Sequence, residues 1–262
     1  MSKQIRKSCS TTPEQGQYLF LQTINYAIIN AADLILQTGG KSMYFEYGDI
    51  EKDYLRNKDK KMGELIDRIG HIYRPVDPDL FASVVHHIIG QQISSKAQAT
   101  IWQRLNDYLG VIDAAHIIAA GIPMLQSMGL PIRKAQYITG FAALVYNGDF
   151  DINALSDKSD DEVVKALSSV NGIGVWTAEM IMMFCMQRPD ILSYDDLAIQ
   201  RGLRMVYRHR QITPELFEKY RRRFSPYGSV ASLYLWAVSA GAVSELKDPA
   251  VSRKFNKENK SK

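Results

Sequence analysis

Cysteine is scarce in this chain: Cys9 and Cys185 are the two thiols in 262 residues. They cannot build a disulfide framework, and they cannot supply the clustered thiolates of an iron–sulfur centre. Cys185 falls in an apolar helical run and reads as an inert core residue. Long apolar runs are missing too. Tyr18 to Leu36 is apolar in patches, but Gln22, Asn25, Asn30 and Asp33 interrupt it, and a membrane span needs about twenty mostly apolar residues. Lys3, Arg6 and Lys7 precede that stretch, yet it is too broken for a signal peptide. Strand-period alternation is nearly absent, and no internal repeat appears. The five histidines have no metal-ligand spacing with another His, Cys or acid; His86 and His87 are adjacent on one helix and face different ways. No side-chain metal site and no organic cofactor is expected. A reducing, cytoplasmic setting is the default.

What is present is helix. A composition of 46% hydrophobic and 23% charged residues implies a substantial core. The net charge of +4 and pI near 8.9 suit a polyanionic partner without demanding one. Helical spacing predicts segments over Tyr54 to Ile69, Leu80 to Gly90, Lys96 to Tyr108, Arg133 to Tyr146, Pro214 to Arg223 and Ser229 to Ala240. Short helices are expected at Asp113 to Ala120 and Met124 to Ser127, around Gly121 and Pro123. Ser95 and Gln98 have the form of a capping box.

The most informative stretch is Ala166 to Arg204. An amphipathic run from Asp160 to Ser169 stops at Asn171-Gly172-Ile173-Gly174, and a more apolar helix follows from Val175 to about Met186. Pro189 breaks it. A loop then carries two adjacent carboxylates, Asp195 and Asp196, before a third helix. Glycines around one apolar residue admit close approaches that a Cβ would forbid. The next helix starts with free amides, a seat for phosphate that needs no basic side chain. The same turn serves equally well as a plain connection between packed helices, and Asp-Asp before a helix is most often a simple N-cap.

Taken jointly, LSSVNGIGVWTAEMI with its downstream Asp, HHIIGQQISSKAQATIWQRL and PYGSVASLYLW resemble the helix-hairpin-helix DNA glycosylase superfamily, in its DNA-3-methyladenine glycosylase II branch. The resemblance covers roughly Asp49 to Ala240. It implies an all-α fold in which two helical lobes flank a DNA-binding cleft. The domain would span 43–246, with a middle lobe at about 94–200, after an extension of unknown role over 1–42 and before a charged tail over 247–262, expected to be disordered. The absence of clustered cysteines sets aside the endonuclease III-like branch.

The resemblance also implies a chemistry. Such an enzyme flips alkylated purines of the 3-methyladenine or 7-methylguanine type out of double-stranded DNA and hydrolyses the N-glycosyl bond. Asp196 aligns with the catalytic carboxylate, which would stabilise an oxocarbenium-like sugar. Bifunctional relatives carry a lysine nucleophile where this chain has Trp176, so no lyase step is expected. Trp176, Met180 and Tyr227 align with the base pocket, Met180 standing where the best-known relative has a tyrosine. Gly172, Gly174, Val175 and Thr177 would hold the DNA backbone, and Gln92 would fill the gap left by the base. Family members often hold an alkali ion on hairpin carbonyls, here near Ser168 and Val170. Arg201, Arg204 and Arg208 share a helix face that could meet phosphate or water. A monomer without an obligate protein partner is implied. Two other readings fit the same residues: a glycosylase for deaminated or mismatched bases, and a non-catalytic DNA-binding module.

Overall fold

In the computed structural model, which describes residues 44–250, Asp59 splits what the spacing reads as one helix over Tyr54 to Ile69. Its backbone is extended, and its side chain accepts from Met62 N at 2.9 Å, so α1 (Asp49–Lys58) ends and α2 (Lys60–Ile69) begins there. The other carboxylate oxygen accepts from Arg223 at 2.6 Å. A buried carboxylate with both oxygens engaged overrides the local helical pattern.

The chain continues through α3 (Leu80–Gly90), α4 (Ser95–Leu109), α5 (Ala114–Ser127) and α6 (Ile132–Tyr146). A 3-10 turn (Asn153–Asp157) leads to α7 (Asp160–Ser168), α8 (Val175–Phe184), α9 (Leu197–Tyr207), α10 (Pro214–Phe224) and α11 (Gly228–Ser239). Among the described residues there is no strand beyond one isolated bridge between Tyr44 and Pro75. No single helix there is long and apolar enough to cross a membrane. The expected extension over 1–42, with Cys9, lies outside the described residues.

One local expectation changes. Ser94, not Ser95, caps α4, accepting from Ala97 N, and Gln98 reaches across to the His86 carbonyl at 3.0 Å instead of closing a capping box. The two short helices expected over 113–127 are found, divided at Gly121, whose φ of 69 and ψ of 170 lie outside the helical region, so α5 is two helical pieces meeting at that kink. α1 starts five residues before the expected Tyr54, and the remaining helices start and stop within about two residues of the expected positions, the scatter normal for helix ends.

The helices pack in two groups. α1, α2, α9, α10 and α11 form one, with α11 buried along its length at the centre. α3 to α8 form the other, α3 lying against α4, α6 and α8. The segment between α8 and α9 is tied to both. Arg188 donates to the carbonyls of Leu155, Ser156 and Lys158, while its own carbonyl accepts from Ser229 Oγ of α11. Asp190 accepts from Gly228 N, and Ile191 is bonded through its N–H to Ser229 and through its carbonyl to Ser232. The loop leading to the adjacent carboxylates is thus braced from both lobes, which fixes where they point. Asp248, in the part of the expected tail that the structure describes, takes a two-pronged pair from Arg204 at 3.0 and 2.6 Å.

Candidate active site

Asp196 is the N-cap of α9 and only 1% exposed. One oxygen accepts from Ala198 N and Ile199 N, both at 2.9 Å. An ordinary N-cap leaves its second oxygen to water. Here Oδ2 accepts from the indole Nε1 of Trp176 at 3.0 Å. Three N–H donors and the positive end of a helix dipole therefore converge on one carboxylate, a setting suited to an anion. Asp195 beside it is exposed. The sequence offers two adjacent acids; the fold gives them different surroundings.

Trp176 is the second residue of α8, and one turn later Glu179 faces the same loop, hydrogen-bonded to the buried hydroxyl of Ser193. Burial pushes the Glu179 carboxyl above its usual range. The bond from Ser193 opposes that, and the charges of Asp195 and Asp196 add to it. Two side chains three apart on α8 thus grip the carboxylate loop at 193 and 196. Met180, next along α8, is 1% exposed and packed in the core. Tyr227 precedes α11 and packs edge-on against Tyr54, ring centroids 5.1 Å apart.

The hairpin lies at the start of α8. Ile173 is buried and plugs the turn into the protein. Gly172 has φ +93, and a Cβ there would sit 2.4 Å from the Tyr137 ring, so both backbone angle and packing require glycine. Gly174 is different. Its φ is −95 and nothing lies within 4 Å of a Cβ added there. It is exposed, as is Val175 after it, and no side chain caps α8. Thr177 is buried. Among the described residues no cluster of His, Cys, Asp and Glu could hold a metal ion.

Gln92 sits at the tip after α3, exposed, in the left-handed region at φ 56. Its neighbour Gln91 donates from Nε2 to the Gly172 carbonyl at 2.7 Å, joining the tip to the hairpin. Lys134 of α6 donates to the carbonyls of Ile89 at 2.7 Å and Gln91 at 2.5 Å. Burial brings its ammonium down to about 8. Arg201 and Arg204, read as a stripe for phosphate or water, pair instead with Asp248 at 3.9 and 2.6 Å.

Sequence reasoning did not find Gln91, Lys134, Tyr137, Glu179 or Ser193. For Glu179 a signal existed, its spacing of three from Trp176. The others meet across helices, and nothing local announces that.

An all-helical chain with a hairpin amide seat and a buried, indole-bound carboxylate at the next helix start has the layout of a helix-hairpin-helix protein that acts on DNA. Residues 85–226 match the HhH-GPD superfamily of base excision DNA repair proteins, and the chain belongs to that family. It is similar in structure to DNA-3-methyladenine glycosidase from Bacillus halodurans, with a TM-score of 0.69 and 31% identity over 78% of this chain and 95% of that one. In sequence it is 25% identical to DNA-3-methyladenine glycosylase 1 of Schizosaccharomyces pombe, over 71% of this chain and 85% of that protein. It is 27% identical to DNA-3-methyladenine glycosylase 2 of Escherichia coli, where the match spans 60% of this chain and 57% of the relative.

Proposed function

We propose that this protein is a monofunctional DNA N-glycosylase that everts alkylated purines of the 3-methyladenine or 7-methylguanine type and hydrolyses their N-glycosyl bond, leaving an abasic site. The observation that carries the reading is the Asp196 carboxylate, held by the α9 amides and the Trp176 indole two residues past the hairpin. As the bond to the base lengthens, the sugar carbon becomes cationic, and a fixed carboxylate stabilises that charge without reorganising. Cationic alkylated bases leave readily and gain from aromatic faces, which Trp176 and Tyr227 would supply. Trp176 occupies the place a Schiff-base lysine would need, so water is the nucleophile.

The strand would be held by the amides of Gly172, Gly174 and Val175 and by Thr177, with Gln92 filling the vacated stack. An alkali ion on the carbonyls of Ser168 and Val170 fits this turn, because Ser168 Oγ is buried there with no hydrogen-bond partner. Such an ion would place positive charge where the phosphate sits. The protein would work as a monomer, in the cytoplasm.

The test is to incubate methylated duplex DNA with the protein and chromatograph the released bases. Release of 3-methyladenine or 7-methylguanine, with strands breaking only after alkali, is the expected result. Strand breaks without alkali, or no released purine, would overturn the reading.

A further inference from the structure

We propose that Lys134 is a positioning residue for base eversion: by holding the carbonyls of Ile89 and Gln91 it fixes the Gln92 tip at a set distance from the hairpin. This rests on the glycosylase reading for its substrate and on geometry for its logic.

The end of α3 is where the chain should be loosest. The last carbonyls of a helix lack intrahelical partners. Gln91 is already non-helical at φ −57, ψ 127, and Gln92 is in a left-handed conformation that strains a non-glycine residue. A tip pushed into a base stack has to resist being pushed back, so these groups need ties from outside α3. The structure supplies three. Lys134 bonds two carbonyls of the turn. The Gln91 amide crosses to Gly172. Gln98 of α4 donates to the His86 carbonyl one turn earlier.

α6 is the bracket between the tip and the hairpin. Lys134 and Tyr137 stand three apart on it, hence on one face. The first holds the Gln91 turn, and the second lies against the Cα of Gly172. One rigid helix therefore touches both the tip and the phosphate seat. Lys134 is half-buried with its ammonium committed to those carbonyls. Two of its three N–H donors serve the turn.

The experiment uses a duplex with a stable abasic analogue beside a 2-aminopurine, whose fluorescence reports stacking at the gap, together with a 7-methylguanine duplex for base release. Full-length wild type, Lys134→Met and Lys134→Arg are compared, with circular dichroism to confirm folding. Lys134→Met should bind the abasic duplex within about threefold of wild type, lose most of the 2-aminopurine response and release 7-methylguanine about tenfold more slowly, because the cost of unstacking is less well met. Lys134→Arg, which still donates, should recover most of both signals. Gln91→Met, which removes the tether to Gly172 alone, should lose part of the response. A Lys134→Met protein with wild-type fluorescence and rate would overturn the proposal, and so would equal loss in Lys134→Met and Lys134→Arg. A wild type that shows the fluorescence response but releases no base would sink the glycosylase reading and leave the bracket standing. A wild type with no response would remove the bracket.

Discussion

The indole N–H of Trp176 points at the carboxylate of Asp196, 3.0 Å away, and so ties the second residue of α8 to the cap of α9. Neither residue is unusual alone. Tryptophans pack at helix starts and aspartates cap helices. Together they make a carboxylate whose two oxygens are both spoken for by N–H donors, in a place closed to bulk water.

Asp196→Asn tests the charge while keeping a good capping residue. One amide oxygen can still accept from Ala198 and Ile199, but the amide N–H₂ then meets the indole N–H. We expect a loss of about 1–2 kcal/mol in stability from that unmatched pair. Base release should fall by about 100-fold or more, since the cationic transition state loses its counter-charge. DNA binding should stay within a few-fold. Release at the parent rate, measured in single turnover on methylated duplex, would remove Asp196 from the mechanism.

Trp176→Phe separates the indole's two jobs. The ring is kept and the donor is lost, leaving Asp196 Oδ2 buried with one partner fewer. Folding should weaken by about 1–3 kcal/mol, the penalty of an unsatisfied buried acceptor. Base release should fall about tenfold or more because the carboxylate loses the contact that aims it. Trp176→His restores an N–H in a smaller ring and should recover part of the rate. A Trp176→Phe enzyme with unchanged kinetics would show that the hydrogen bond only packs the helix.

Much of this arrangement can be read from the chain, for a physical reason. Helix starts and stops are local events: Gly121, Pro123, Pro189 and the glycines of the hairpin punctuate the sequence wherever the backbone must turn. Asp59 escapes because one of its two partners is remote. A carboxylate within a helical pattern reads as solvated until Arg223 of α10 is seen to meet it. The same holds for Arg204 and Asp248, a pair 44 residues apart that turns an apparent basic stripe into a structural contact. Lys134 and Tyr137 show the limit most clearly. Both sit on a helix correctly placed from its spacing, but which neighbour each one touches is decided by how α3, α6 and the hairpin pack. Asp196 stood out because the motif spacing to the hairpin is itself short-range, and Trp176 because a lysine would have been needed there for other chemistry.

His86 gives the protein an acid limit. Its ring lies 4.6 Å from that of Trp102, and burial, with a smaller contribution from neighbouring His87, lowers its pKa to about 4. The unfolded chain would titrate it near 6.5. The folded value is the lower one, so its contribution to stability is complete above pH 6.5 and drains away as pH falls towards 4. Between pH 7 and 4.5 that amounts to about 2 kcal/mol. Urea denaturation at both pH values, for wild type and His86→Phe, isolates the effect. The variant should lose less stability over that interval by about this amount, whatever the carboxylates contribute to both. Equal losses would mean that His86 is solvated in the folded state.

The two hairpin glycines should fail in different ways, and this contrast reaches the function most directly. A methyl at 172 collides with Tyr137 and must also hold φ +93. Gly172→Ala should therefore destabilise the fold by about 2–4 kcal/mol, combining overpacking with backbone strain, and lower activity by depleting folded protein. At 174 there is open space and an ordinary φ of −95, so Gly174→Ala should leave the melting temperature almost unchanged. If a phosphate approaches the α8 amides there, however, that methyl stands in its path. Affinity for duplex DNA should drop by about tenfold, and the drop should persist as salt is raised, because lost amide contacts release no counterions and leave the salt slope of the remaining cationic contacts intact. Titrations by fluorescence anisotropy over a range of salt concentrations read both quantities. A Gly174→Ala protein that folds and binds like wild type would place the DNA backbone away from this turn. The hairpin would then be a connection between two packed helices and nothing more.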